Sequence, residues 1–404
     1  MSKNVIYLDY AATTPCDTRV LAEMIPYFCD VFGNPNSLHS YGIDALDGVD
    51  KARIRIKGLL HSKFEETVFT SGATESNKIA IVRTMQALAK SGKNHFITLK
   101  TEHKSVIDCV DYLKRNGIET TLLDVQHDGL LDLDHLADSI KDNTGLVSFC
   151  FVNNETGTIQ DAKKIVEICR DKGTLVHTDA TQAFGKIPID VSDLDVDFLS
   201  ASGHKIYGPK GVGIFYFKHS NRKFISIPGA NHEVEFGIRS GTVPVALCVG
   251  MGIAAEIANA EMAENLKHVR KLRKQFIDGI HASLDETYIN GSETSNYPGI
   301  INMSFRGCEG EALMMEASGI AVSSGSACTS NKLTISHVLA AMQIPADIAQ
   351  SSLRITIGKS TTEQDIDVAI NELIVASKKL RAISPVWDII ISGSNVDSIF
   401  SKRY

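Results

Sequence analysis

Between residues 64 and 217, short β-type runs alternate with helical patterns, and this alternation constrains the fold more than any other feature. The runs are EETVFT, HFITLK, TTLLDV, LVSFCFV, LVHTDA, DFLSAS and GVGIFYF. Helical patterns separate them at 75–90, 103–116, 132–141 and 161–172. In DAKKIVEICRDKG, residues Ile165, Val166, Ile168 and Cys169 make one apolar stripe and Gly173 ends it. LVSFCFV is nearly all apolar, as suits a strand covered on both faces. The pattern predicts an α/β fold with a mainly parallel central sheet.

A long helical pattern spans 245–284 and carries KHVRKLRK, which reads as a solvated face. After it come NYPGIINMSF, a helix at 309–318, a Ser/Gly-rich stretch at 323–331, LRITIG and a helix at 362–380. These suggest a smaller α+β domain, with the break near residue 260. A chain of 404 residues is long enough for both parts.

The formal net charge of −7 argues against gripping nucleic acid or an anionic membrane, since both favour a basic surface. The start, MSKNVIYLDYAATTP, has neither a secretory pattern nor a transit-peptide composition. No apolar run approaches the roughly 18 residues of a membrane span. A cytoplasmic protein is expected. The eight cysteines form no CxxC pair, so a structural zinc site is not expected. Most, such as Cys150, read as small buried hydrophobes.

Four segments could carry chemistry. TSGATESN, residues 70–77, follows a strand and opens a helix. Backbone N–H groups and hydroxyls at such a junction form a cup for phosphate. The same string also reads as a helix capped by Ser71 or Thr74. In LVHTDATQAFG, Asp179 closes an apolar strand, where open α/β sheets bind ligands. It could ligate a metal, cap a helix or pair with a heterocycle nitrogen, and Gln182 points the same way if a helical turn follows. In SASGHKIYGPKGVGIFYF, Lys205 lies between Gly203 and Gly208, as a Schiff-base lysine or a solvated turn residue. In SSGSACTSNK, Cys328 sits in a stretch of small polar residues, a travelling nucleophile or an incidental thiol. His103 could cap the next helix or face a cofactor. Arg354 could bind a carboxylate bidentately or make a structural ion pair.

Pyridoxal 5'-phosphate (PLP) requires a Schiff-base lysine, a carboxylate at its ring nitrogen and an anion site. Lys205, Asp179 and residues 71–74 supply all three from one sheet edge, a combination that none of them demands alone.

The strings YLDYAATTP, FGNPNSLHSYG, TSGATES, TEHKSV, VNNETGTIQ, HTDATQAFGK, SGHKIYGPKGVG, RSGT, SSGSACTS and LRITIG occur in one order over residues 5 to about 386. Together they resemble a cysteine desulfurase of the class V aminotransferase superfamily, group I, IscS/NifS type. The resemblance implies the PLP-dependent transferase fold type I. It also implies a large domain over 12–260 and a small domain of 1–11 plus 261–404. Lys205 would carry the PLP and move the Cα proton of L-cysteine. Asp179 would bind the ring nitrogen, Gln182 the ring phenolate oxygen, and His103 would stack on the ring as an acid/base. Ala73, Thr74, Ser202 and His204 would bind the phosphate. Thr242 would reach the phosphate of the neighbouring subunit in a homodimer. Asn154 and Arg354 would hold the substrate carboxylate, with Asn154 also at the cofactor. Cys328 would accept the sulfur as a persulfide for iron–sulfur scaffold proteins and other acceptors, including tRNA thiolation. It would also serve as a transient [2Fe–2S] ligand shared with a scaffold. An aminotransferase or a selenocysteine lyase on the same scaffold is the alternative. A partner-binding platform without chemistry is a third reading.

Three places depart from the family pattern: Lys78 in place of Asn, the longer NHEVEFGIRSGT segment, and the tail at 391–404. All three bear on partner contacts.

Overall fold

The seven expected runs form one sheet in the computed structural model, which describes residues 5–227, 234–324 and 335–393. Among those residues the strands, in chain order, are β1 (Ile6–Tyr7), β2 (Thr67–Thr70), β3 (His95–Leu99), β4 (Glu119–Leu123), β5 (Thr144–Cys150), β6 (Leu175–Asp179), β7 (Phe198–Ser202), β8 (Gly213–Phe217), β9 (Thr287–Ile289), β10 (Ile300–Phe305), β11 (Ile320–Ala321) and β12 (Ser352–Thr356). The large sheet has the order β2-β8-β7-β6-β5-β3-β4. Only β8 runs against its neighbours. This is the mainly parallel α/β sheet that the alternation predicts, and the PLP fold type I that the resemblance implies.

Helices cover both faces because each carries one apolar stripe. In Lys104–Arg115 the stripe is Val106, Cys109, Val110 and Leu113, and in Ala162–Asp171 it is Ile165, Val166 and Cys169. β5 is buried at every position, which explains its nearly all-apolar sequence.

The long helix runs Val245–His281 without a break at 260. Residues from Cys248 to Met262 pack in the core of the large sheet, and Val269 to Ile280 pack in a second core. Leu8 lies in the second core, and β1 pairs with β11. That second core also holds the three-stranded sheet β12-β10-β9 and the helix Glu363–Arg381. Gly252 lets the long helix approach the helix Ser40–Leu60, since a Cβ there would lie 2.5 Å from the Ala52 Cα. Val245–His281 is also long and apolar enough to cross a membrane, contrary to the expectation that no such run exists. Its apolar window is 67% buried inside the protein, where it serves as a core helix.

Candidate active site

Register brings the expected residues to one edge. Thr70 lies beside Gly213, Gly213 beside Ser202, Ser200 beside Asp179, and Asp179 beside Cys150. Gly72, His103, Asn154 and Lys205 therefore leave the sheet at the ends of β2, β3, β5 and β7. Asp179 ends β6 among them. Open α/β sheets bind ligands at this edge.

The cup opens at Gly72, which caps the helix Ala73–Lys78 in place of the expected Ser71 or Thr74. Its backbone sits at φ 155° and ψ 174°, a conformation only glycine holds at low cost. The space where a Cβ would stand is open, with Ser202 Oγ the nearest atom at 3.8 Å. The N–H groups of Ala73 and Thr74, in the first turn, have no acceptor within the helix. Glu75 closes the far side by accepting from Ser71 N–H and pairing with Arg239 at 3.1 Å. The helix expected over 75–90 is interrupted by a π-helical stretch at Ile79–Arg83. Such stretches often sit at functional sites.

Asp179 is buried. Its Oδ2 accepts from Asn77 Nδ2 at 2.8 Å and its Oδ1 from Thr181 N–H at 3.0 Å. His103 caps the helix Lys104–Arg115, and Ser105 N–H donates to its Nδ1. The capping reading of His103 holds, and the ring lies at the site edge. Burial lowers its pKa most, opposed by Asp179, while Lys205 and His337 push it further down. Glu102, fully buried beside it, is pushed well up by burial and by Asp179.

Lys205 Nζ donates to the carbonyls of Ala11 and Ala12 at 2.6 and 2.7 Å. Gln182 Nε2 shares the Ala11 carbonyl at 2.9 Å. The expected turn does follow Asp179, since Ala183 and Phe184 N–H donate to Ala180. His204 pairs through Nδ1 with Thr13 Oγ1 at 3.2 Å. Burial, together with Lys205, Lys210 and Lys186, pushes its pKa down to about 4. It is a neutral ring at neutral pH, able to donate one hydrogen bond.

Arg354 and Asn154 are brought together. Arg354 Nη1 donates to the Asn154 carbonyl at 3.3 Å, and Nη2 pairs with Asp9 at 2.8 Å. Arg354 Nε is buried without a protein partner among the described residues. Thr242 stands apart, exposed just before the long helix. Lys78 is exposed at the end of the cup helix. Cys328 lies outside the described residues, as do part of the NHEVEFGIRSGT segment and most of the divergent tail. Among the described residues no cluster could hold a metal ion.

Several site residues escape the sequence reading. Asn77 lies in the quoted TSGATESN string, one helical turn beyond Ala73, and that spacing was the available signal. Ser105 lies two residues past His103 in TEHKSV. Lys186, which donates to Gln182 Oε1, and Asp9, which pairs with Arg354, give no such local sign.

A cysteine desulfurase IscS from Rickettsia massiliae (strain Mtu5) is 45% identical over 397 residues, covering 98% of this chain and 96% of that protein. One from Rickettsia akari (strain Hartford) is 46% identical over 400 residues, with the same coverage. Among solved structures, a NifS-like protein matches with a TM-score of 0.86 at 35% identity, over 93% of this chain and all of that one. A structure described as SspA in complex with cysteine matches with a TM-score of 0.78 at 32% identity, over 88% and 100%.

PLP is the cofactor of such enzymes. The residues fit it: an open space in front of Gly72, helix N–H groups, the buried Asp179 carboxylate and the Lys205 amine share one edge. When bound, PLP supplies an electrophilic carbon for amines and a ring that withdraws electrons. Residues 6–368 match the model of the aminotransferase class-V family, and with these relatives the chain belongs to it.

Proposed function

We propose that the protein is a cysteine desulfurase that converts L-cysteine to L-alanine and leaves the sulfur on Cys328. The observation that carries this reading is the convergence of Lys205, Asp179 and His103 on one sheet edge in a chain 45% identical to proteins of that name. Atoms balance without an outside oxidant: the substrate C–S bond breaks with its electron pair left on carbon, an S–S bond forms at Cys328, and Cβ takes up a proton, matching the one the Cys328 thiol gives up, to become the methyl group of alanine.

The positions support a role for each residue. Lys205 holds the cofactor, and its amine, once released, carries the Cα proton. Asp179 faces the ring nitrogen and Gln182 the ring oxygen. Ala73, Thr74, Ser202 and His204 receive the phosphate. Arg354 takes the substrate carboxylate beside Asn154. The chain divides near residue 260 into a large domain and a small one that includes the first residues.

A homodimer suits the surface. Ile25, Phe28, Phe32, Leu38, Tyr41 and Ile43 are exposed by 55–95% within one short stretch, and such a patch calls for cover. Thr242, exposed in one subunit, then completes the phosphate site of its partner. Iron–sulfur scaffold proteins and other sulfur acceptors are the expected recipients, with Cys328 as a transient cluster ligand. The described cysteines are all free thiols, as a reducing compartment such as the cytoplasm maintains them.

The test is direct. Purified holoenzyme with L-cysteine and a reductant should release alanine and sulfide in equal amounts. Cys328→Ser should abolish this turnover. No alanine from PLP-loaded protein contradicts the reading. Turnover undiminished in Cys328→Ser would favour a lyase.

A further inference from the structure

A chain of hydrogen bonds runs from Asp179 to His103 through two residues that touch no expected substrate group. Asn77 is fully buried. Its Nδ2 donates to Asp179 Oδ2 at 2.8 Å and to Ser105 Oγ at 2.9 Å. Ser105 Oγ lies 2.8 Å from His103 Nδ1, and Ser105 N–H reaches the same nitrogen at 3.2 Å.

Chemistry assigns each hydrogen. A carboxylate only accepts, so Asn77 must turn its NH2 toward Asp179. The second hydrogen of that NH2 goes to Ser105 Oγ. The hydroxyl has one hydrogen of its own, which remains for His103 Nδ1. The backbone N–H of Ser105 donates there too. Nδ1 therefore accepts twice, and the proton of the neutral ring belongs on Nε2. Asn77 Oδ1 is buried without a partner among the described residues. The amide thus keeps its orientation for its donors, at the expense of its oxygen.

We infer that Asn77 is a positioning residue that, through Ser105, fixes His103 as the Nε2–H tautomer and ties that choice to the Asp179 carboxylate. The inference rests on the proposed function only for the parts that His103 and Asp179 play in the reaction. A residue serving only to pack the helix Ala73–Lys78 would not select a tautomer.

The experiment is nitrogen NMR on histidine-labelled holoenzyme, with the His103 signals assigned by their loss in His103→Gln. The native protein should show an unprotonated Nδ1 and a protonated Nε2. Asn77→Asp keeps the size; beside Asp179 the two carboxyls share one proton, and the other oxygen at 77 accepts from Ser105 and turns its hydrogen away from the ring. Ser105→Ala removes the 2.8 Å hydroxyl donor and leaves Nδ1 only the longer backbone N–H contact at 3.2 Å. Both variants should show a mixture of tautomers, and Ser105→Thr, which retains the hydroxyl, should restore the native signals. PLP should dissociate about tenfold more readily from Asn77→Asp, a loss typical of groups that orient a contacting side chain. If Asn77→Asp does not fold, Ser105→Ala decides alone. A native Nδ1–H tautomer overturns the inference, and so does an unchanged tautomer in Ser105→Ala. The signals are read whether or not alanine forms, so a failed desulfurase assay and a failed inference remain distinguishable.

Discussion

Lys186 and Gln182 meet at 2.6 Å, with Nζ donating to Oε1. The Ala11 carbonyl, which can only accept, takes the other end of the Gln182 amide. Gln182 is thereby held in one orientation, with its NH2 on the same carbonyl that Lys205 uses. Lys186 is partly exposed as a residue, but its amine end is enclosed near Lys205 and Arg354.

That enclosure has a pH signature. Burial first, and then the charges of Lys205 and Arg354, push the Lys186 amine down to about 7. An unfolded lysine titrates near 10.4. Between these values the unfolded chain binds the extra proton, so the penalty is complete below the folded value and fades as pH rises. Denaturant midpoints should therefore climb from about pH 7 to about pH 9.5, and less so in Lys186→Met. An equal climb in the variant contradicts this.

Arg53 and Glu235 form a buried ion pair at 2.9 Å. The guanidinium lies over Phe64, Phe69 and Phe236, at 5.5, 5.1 and 4.9 Å from their ring centroids. Glu235 and Phe236 both hold left-handed backbone, at φ 42° and 54°. Arg53→Met should cost about 3–5 kcal/mol by stranding the carboxylate. Arg53→Met with Glu235→Gln should regain more than half, because Gln still accepts from Phe69 N–H. Urea denaturation measures both.

Arg354 is the expected carboxylate ligand, and a lysine there loses the planar two-point grip. Arg354→Lys should raise the KM for L-cysteine by roughly tenfold or more, with a smaller change in kcat. Steady-state kinetics over a wide cysteine range separates the two.

Asp179→Asn removes the charge that the proposed function sets against the ring nitrogen, while keeping the bond to Thr181 within reach. The variant should fold normally and lose kcat by roughly a hundredfold or more. Circular dichroism and alanine release check each half.

Much of this was legible in the sequence. The sheet strands were readable because each run is apolar or β-branched and bounded by polar turns. Asp179 and Lys205 were readable because ligand sites in such folds lie where strands end. Gly72 as the cap was not, because Ser71 and Thr74 are the better caps by residue type, and the unusual φ appears only in three dimensions. Asn77 was not legible either, because its amide bridges two partners 28 and 102 residues away. The Asp9–Arg354 pair joins the two ends of the chain across 345 residues, a contact no local pattern reveals. No break in the backbone stands at 260, because one continuous helix serves both cores.

The central claim is that sulfur leaves L-cysteine for Cys328. Mass spectrometry of the holoenzyme after brief exposure to L-cysteine, without reductant, tests it most directly. The expected result is one added sulfur atom on the peptide containing Cys328, removable by a thiol and matched by one alanine per subunit. Alanine formed with no added sulfur on Cys328 would contradict it.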